Sequence, residues 1–388
     1  MISTNSKPIE NLKPLTSLRF FAAFMIVIWH SVMFYPWFKG VPSFLTHGVS
    51  FFFVLSGFIL THVYTSKKPP GYFGFIRDRL ARLWPVHVFA LCFLVMFVRP
   101  DAVTYDGVGL FDKYVNLALN LTLMQSIFPF DKIMFSWNAV SWSISTEVFF
   151  YLAFPFLVIG IRKNWKIKLL IAALVSTVFV FSMTAFSKTQ AGQDIGINMF
   201  YAAYSNPLFR GVEFVLGMSL WVIWDRYIRN YEASYLFWSV VELISVSFAV
   251  WWICYGAAHA IPYLGDFESP RLMANTMGSA WVFAILIGVV ASGRGIVGTI
   301  LKNRALVYLG EISFSVYMIH QVLFKVFAYS FSKDLQVTPL MYFSALLFLA
   351  SASYFVIEKP AQRLLRLSSK KAKLNESVVK SAQLHHVN

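Results

Sequence analysis

Charge is what this sequence has least of. Only 13% of its 388 residues are charged, about half the share of an ordinary soluble domain. Cysteine is nearly missing: Cys92 and Cys254 both stand inside apolar runs, which excludes a disulfide framework and a thiolate metal site. Acidic residues are scarcer than basic ones, 18 against 33, leaving a formal net charge of +15. The placement of that charge excludes a nucleic-acid partner. Basic residues cluster in short loops and in the C-terminal stretch KPAQRLLRLSSKKAK, as in membrane proteins that fix their orientation this way. What fills the chain is apolar, 58% hydrophobic and 18% aromatic. Runs of about 18 residues or more recur from end to end, long enough to cross a bilayer.

The expected fold is therefore all-α, a polytopic membrane bundle of about ten helices. Crossings are expected near 15–36, 44–64, 84–99, 140–161, 166–187, 206–225, 235–257, 272–291, 305–329 and 338–358. The first run has a charge and no small-residue cleavage site, so it reads as a retained span and not a signal peptide. The stretch 111–128 is apolar but carries Asn116, Asn120 and Gln125, and reads as a helix lying at the outer surface. With the N-terminus inside, the inner segments collect Lys7, Lys13, Lys67, Lys68, Arg77, Arg79, Arg82, Arg162, Lys163, Lys166, Lys168, Arg226, Arg229, Arg294, Lys302 and Arg304. The outer loops hold scattered single charges such as Lys39, Arg99, Lys188 and Lys333. That asymmetry places both termini in the cytoplasm. Residues 1–14 form a cytoplasmic segment, 15–360 the membrane domain, and 361–388 a basic tail, disordered or bound to the membrane surface.

An ionisable group inside a span costs about 2.5–3.5 kcal/mol on insertion scales and needs a reason to be there. In the first span, LRFFAAFMIVIWH, Arg19 and His30 stand eleven residues apart on one face, a rise of about 16 Å. Alone, Arg19 could reach the lipid headgroups and His30 could bond a neighbouring helix. Together on one face they point to a polar path through the bundle. Glu147 falls in the outer half of the fourth span, at the depth of His30. By depth it is the nearest candidate partner for an imidazole acting as general base. Arg210 and Glu213 stand one turn apart in the sixth span and either pair with each other or serve a substrate. The ninth span carries Glu311, Tyr317, His320 and Lys325, with Tyr317 and His320 sharing a face. His47, His62, His87 and His259 sit near span ends, where a satisfied interfacial histidine is the default. In FIRDRLARLWPVH, Arg79 and Arg82 are three apart on an expected short helix, with Pro85 in the first turn of the next helix. Paired guanidiniums on one face can clamp phosphate.

The Arg–ten residues–His pattern of SLRFFAAFMIVIWHS resembles that of the acyltransferase 3 family of integral membrane acyltransferases. GVSFFFVLSGFILT, RLARLWPVH, WSISTEVFFYLAFP, FRGVEFVLG, GEISFSVYMIH and FVIEKP agree in order, from about residue 15 to 360. The resemblance implies an O-acyltransferase moving an acyl group, usually acetyl, from cytoplasmic acyl-CoA to a hydroxyl of a surface or exported glycan. It makes His30 the essential histidine and Arg19 its partner in the signature, and sets Arg79 and Arg82, with Arg19 as a further candidate, on the CoA phosphates. It makes Glu147 the acidic residue of the segment beginning at Trp142. Ser145 and Tyr317 are candidate oxyanion donors, and Arg210, Glu213 and His320 supporting groups. Acyl-CoA enters as a substrate, with no permanently bound cofactor and no metal. The expected partners are the glycan and membrane lipid, and the expected location is the inner membrane of a bacterium. Two departures stand out: Val148 follows Glu147 where many members have a second acid, and Gln321 and Val322 follow His320 where many read Trp-Pro. An esterase-like domain found in some relatives would have to come from another protein. The rival reading is a glycan or lipid-linked sugar exporter, whose charges would line a transport path. No internal repeat of the kind common in transporters is visible.

Overall fold

A computed structural model describes residues 12–66, 71–195, 197–329 and 337–364. Lys7, Lys67, Lys68, Lys333 and the tail from 365 onward lie outside the described residues. Among the described residues there is no β-strand, and ten helices are long and apolar enough to cross a membrane. They are α1 (Lys13–Phe34), α2 (Ser43–Ser66), α3 (Tyr72–Phe97), α4 (Ala139–Leu157), α5 (Ile161–Ser187), α6 (Met199–Ile228), α7 (Tyr235–Leu264), α8 (Glu268–Val290), α9 (Arg304–Tyr329) and α10 (Pro339–Leu364). The protein is thus an all-α, multi-pass membrane bundle, with the ten expected crossings in their expected places. Odd-numbered helices begin, and even-numbered ones end, at the side that gathers the basic residues, called here the basic end. The stretch 111–128 does not cross. It forms a short helix, Lys113–Leu121, and a 3₁₀ turn, Gln125–Ile127.

Local signals start and stop these helices. Thr338 accepts a hydrogen bond from the Met341 amide and is followed by Pro339, the usual cap and first residue of a helix. Between α4 and α5, Gly160 takes a left-handed φ of 64°. There the Lys168 ammonium donates to the carbonyls of Leu157 and Ile159, both at 2.6 Å, closing the end of α4. The expected break before Pro85 does not occur: α3 runs through it as one helix. Proline removes one backbone bond inside a helix, but Leu83 and Val86 on either side are both buried, and this packing carries the helix across the gap.

Burial separates inner helices from perimeter helices. In α2 and α9, 72% of the most apolar window is buried, against 17% in α5 and 28% in α10. The inner helices approach through glycine. A Cβ on Gly57 of α2 would lie 2.0 Å from the Phe214 carbonyl oxygen of α6, and one on Gly217 would lie 1.9 Å from that of Val54. A Cβ on Gly310 of α9 would lie 1.9 Å from the Thr16 carbonyl oxygen of α1. In lipid, close backbone approach at small residues replaces the hydrophobic drive that holds soluble helices together.

Gly217→Ala should therefore cost about 1–3 kcal/mol of stability, the range for overpacking a filled contact. Gly71→Ala is the control, since a Cβ there meets nothing within 4 Å. Thermal unfolding in detergent is the measurement, and equal melting of both variants would contradict the close α2–α6 contact.

Candidate active site

Two cavities open inside the bundle and share a wall of three arginines. The deeper one, roughly 230 Å³, is largely apolar and runs from Arg19 past Ser56 and Glu147 to Tyr317. The other, roughly 190 Å³, lies at the basic end and is lined by Glu311, Tyr354, Glu358 and Gln362. Arg19, Arg79 and Arg82 border both. None of the three makes a hydrogen bond or ion pair with the protein among the described residues, and Nε of Arg79 is a buried donor without a partner. Half-buried guanidiniums with unused donors, facing a cavity, are suited to an anionic ligand with several oxygens. The sequence placed Arg19 with Arg79 and Arg82 only as an option; the fold brings all three together.

Glu147 faces the deeper cavity. Its Oε1 accepts from Ser56 at 2.8 Å and from Tyr151 at 2.6 Å. The pairing with His30 expected from depth is thereby corrected. Tyr151 stands one turn along the same helix, and Ser56 comes from α2 across the cavity; neither was singled out in the sequence, although the i, i+4 spacing of Glu147 and Tyr151 was visible there. The far wall of this cavity is Tyr317, whose hydroxyl meets Ser143 Oγ at 2.8 Å and the Val140 carbonyl at 3.1 Å.

His30 is paired instead with His320. His30 Nδ1 lies 2.9 Å from His320 Nε2, and His320 Nδ1 lies 2.5 Å from the Tyr317 carbonyl. These contacts assign the tautomers of the neutral pair. A carbonyl only accepts, so His320 carries its proton on Nδ1 and offers the lone pair of Nε2. His30 must then donate from Nδ1, which leaves its Nε2 as the free base. His320 is fully buried, and its ring centroid is 5.7 Å from that of Tyr317, so the pair stands directly behind the cavity wall. Tyr342, also buried, donates to the His320 carbonyl at 2.8 Å and fixes that turn of α9. Missing the Trp-Pro that often follows has not displaced His320 from the position that orients His30.

The remaining expected residues are placed elsewhere. Arg210 and Glu213 pair at 2.6 Å, each 1% exposed. The guanidinium also donates to the Tyr204 carbonyl and to Ser50, and lies over the rings of Phe53, Trp142 and Tyr204. The guanidinium is fully engaged within the fold, the second oxygen of Glu213 is buried without a hydrogen-bond partner, and Trp142 belongs to the packing of the pair. Ser145 donates to the Leu123 carbonyl at 2.7 Å and contacts Ser126. It anchors the loop before α4 and does not line the cavity. Lys325 donates to the Trp137 carbonyl at 3.0 Å, and Asn138 to that of Met318 at 3.3 Å, fastening the same loop to α9. His47 and His87 are bonded within the fold, to Ser279 and the Asn275 carbonyl and to the Asn120 carbonyl respectively. Among the described residues no cluster of His, Cys, Asp and Glu is arranged to hold a metal ion.

A membrane bundle with an arginine-walled interior cavity and an oriented histidine behind it has the layout of an integral membrane group-transfer enzyme. Comparison with known proteins gives the class its name. Residues 14–358 match the family model described as an acyltransferase domain, and the chain belongs to this acyltransferase 3 family. It is an acyltransferase. It is similar to the acyltransferase MdmB of Streptomyces mycarofaciens, 29% identical over 332 residues that cover 80% of this chain and 79% of that protein. It is also similar to the O-acetyltransferase OatA of Staphylococcus aureus, 25% identical over 370 residues covering 91% of this chain. The chain spans 57% of the length of OatA. No solved structure matches the chain.

The tautomer assignment has a direct spectroscopic test. With ¹⁵N-labelled histidine at positions 30 and 320, solid-state NMR at neutral pH should show protonated Nδ1 and bare Nε2 in both rings. A proton on Nε2 of His30 would contradict it.

Proposed function

We propose that this chain is an O-acetyltransferase of the bacterial inner membrane, which moves an acetyl group from cytoplasmic acetyl-CoA to a glycan hydroxyl outside. The observation that carries this reading is the set of three arginines that, among the described residues, make no hydrogen bond or ion pair with the protein and face cavities, the deeper of which ends at Tyr317 beside the histidine pair. Family membership and the similarity to a protein named an O-acetyltransferase support the transfer of acetyl to oxygen. In this reading the basic end is cytoplasmic, with both termini there, and Arg19, Arg79 and Arg82 bind the CoA phosphates. The pantetheine arm follows the apolar cavity, where Glu147, held by Ser56 and Tyr151, faces it and orients its amides. The thioester comes to rest against Tyr317.

His30 supplies the chemistry. Its Nε2 takes the proton of the acceptor hydroxyl as that oxygen attacks the thioester carbonyl. The tetrahedral oxyanion forms beside the hydroxyls of Tyr317 and Ser143, which turn away from the Val140 carbonyl to donate to it. As the C–S bond breaks, the leaving thiolate takes the proton back from His30, giving CoA-SH and the O-acetyl ester. His320 holds the reactive tautomer and shares the charge of the imidazolium through the Nδ1–H bond. It is a positioning residue, since it acts through His30.

Purified protein given radiolabelled acetyl-CoA and glycan fractions should transfer label, and His30→Ala should not. His320→Ala should retain donor binding and lose about 10²–10⁴-fold in turnover, the range for a misoriented general base. Arg79→Ala with Arg82→Ala should weaken CoA binding at unchanged thermal stability. Equal transfer by wild type and His30→Ala would sink the mechanism. A wild-type protein without CoA affinity would favour the export of a glycan instead.

A further inference from the structure

The cavity at the basic end contains an opposition that the donor reading does not use. Two carboxylates, Glu311 and Glu358, line it with the three arginines. Each is held in place by hydrogen bonds from the protein. Glu358 accepts from Ser315 and from Gln362, both at 3.2 Å, and Glu311 accepts from Tyr354 at 2.6 Å. Glu358 is 4% exposed, and it stands with Tyr354 on a widened π-helical turn of α10, Tyr354–Glu358. Such turns are frequent at functional sites. The third acid, Asp78, is occupied by Arg77 at 3.5 Å.

We propose that Glu311 and Glu358 set how tightly the donor is held, offsetting the three arginines so that the spent carrier can leave. The proposal rests on the donor reading above. An ionised carboxylate has no hydrogen to donate to a phosphate oxygen, whereas the arginines have unused donors. The acids therefore act on a bound anion through their field, and the arginines through contact. Coenzyme A carries two charges on its pyrophosphate and about 1.5–2 on its 3′-phosphate, and it carries them equally before and after transfer. A site of three unopposed guanidiniums would retain the product as firmly as the substrate. Two negative charges set against the three guanidiniums in the same cavity weaken its hold on an anion and lower both affinities together. Glutamine at either position removes a charge while keeping an oxygen for the Ser315 or Tyr354 hydrogen bond.

The test is coenzyme A binding by the full-length protein in detergent or nanodiscs, measured by calorimetry, with product inhibition of transfer as the second readout. Glu358→Gln and Glu311→Gln should each bind coenzyme A ~10-fold more tightly, the scale of one unit charge at roughly 10 Å under protein-like screening. Free coenzyme A should inhibit both variants at correspondingly lower concentration. Glu358→Asp, which keeps the charge, should bind as the wild type does. Two positions are tested so that one variant's failure to fold leaves the other to decide. Unchanged or weaker binding by the folded glutamine variants, with wild-type binding intact, overturns this inference alone. Absence of coenzyme A binding by the wild-type protein overturns the donor reading and this inference with it.

Discussion

The backbone contact between α1 and α9 is the constraint on which the site depends. Gly310 lets α9 lie against the Thr16 carbonyl of α1 with no room for a single carbon atom between them. The two helices run parallel, and above the contact Val27 packs among Ile312, Val316, Ile319 and Leu323 of α9. Higher still, the same pairing sets His30 against His320 at 2.9 Å. Because a helix is stiff over this length, separating the helices at Gly310 would also separate the histidines. The tautomer of His30 is therefore decided by a glycine ten residues before His320. That is a structural role for a small residue that no inspection of the histidines would show.

The ionisable groups inside the bundle fall into two classes, and their partners separate them. Arg210 is held by Glu213, the Tyr204 carbonyl and Ser50, and Glu242 accepts from the Gly295 and Gly298 amides at 2.9 and 2.8 Å. Such groups are costly to bury, and removing one partner typically costs about 3–5 kcal/mol because the other charge is left uncompensated. They fix helix positions. Arg19, Arg79 and Arg82 are the contrast: charged, half-buried and, among the described residues, without hydrogen bonds to the protein. A bundle that satisfies Arg210 so fully has no structural reason to leave three other guanidiniums open beside a cavity. Their incompleteness is what a ligand would complete.

Most of the fold was legible in the sequence, because length and hydropathy decide where helices cross lipid and the basic loops decide their alternation. The shared face of Arg19 and His30 was legible too, since helical geometry fixes it. What the sequence could not supply was the arrangement of helices around the bundle axis. Depth is one coordinate, and Glu147 and His320 stand at comparable depths; only the order of packing makes one the partner of His30 and sends the other to Ser56 and Tyr151. That order follows from close approaches at Gly57, Gly217 and Gly310, whose partners lie far away in sequence. Pro85 misled for a local reason: its effect on one backbone bond was visible, while the burial of Leu83 and Val86 that overrides it was not. Ser145 looked free because the loop that occupies its hydroxyl folds back from residues 123–126.

The geometry of the path can be checked from two helices independently. On α1, Arg19 and His30 are separated by eleven residues, a rise of about 16 Å; on α9, Glu311 and His320 are separated by nine, about 14 Å. Both helices start at the basic end, so each measures the distance from the polar cavity to the base. The two lengths agree to within about one helical turn, although they come from segments almost three hundred residues apart in sequence. A carrier with phosphates at one end and a reactive sulfur at the other, joined by a slender arm, is matched to such a path. In the proposed reading the acceptor approaches from the opposite end and meets the thioester beside His30, whose free nitrogen His320 on the neighbouring helix has already oriented.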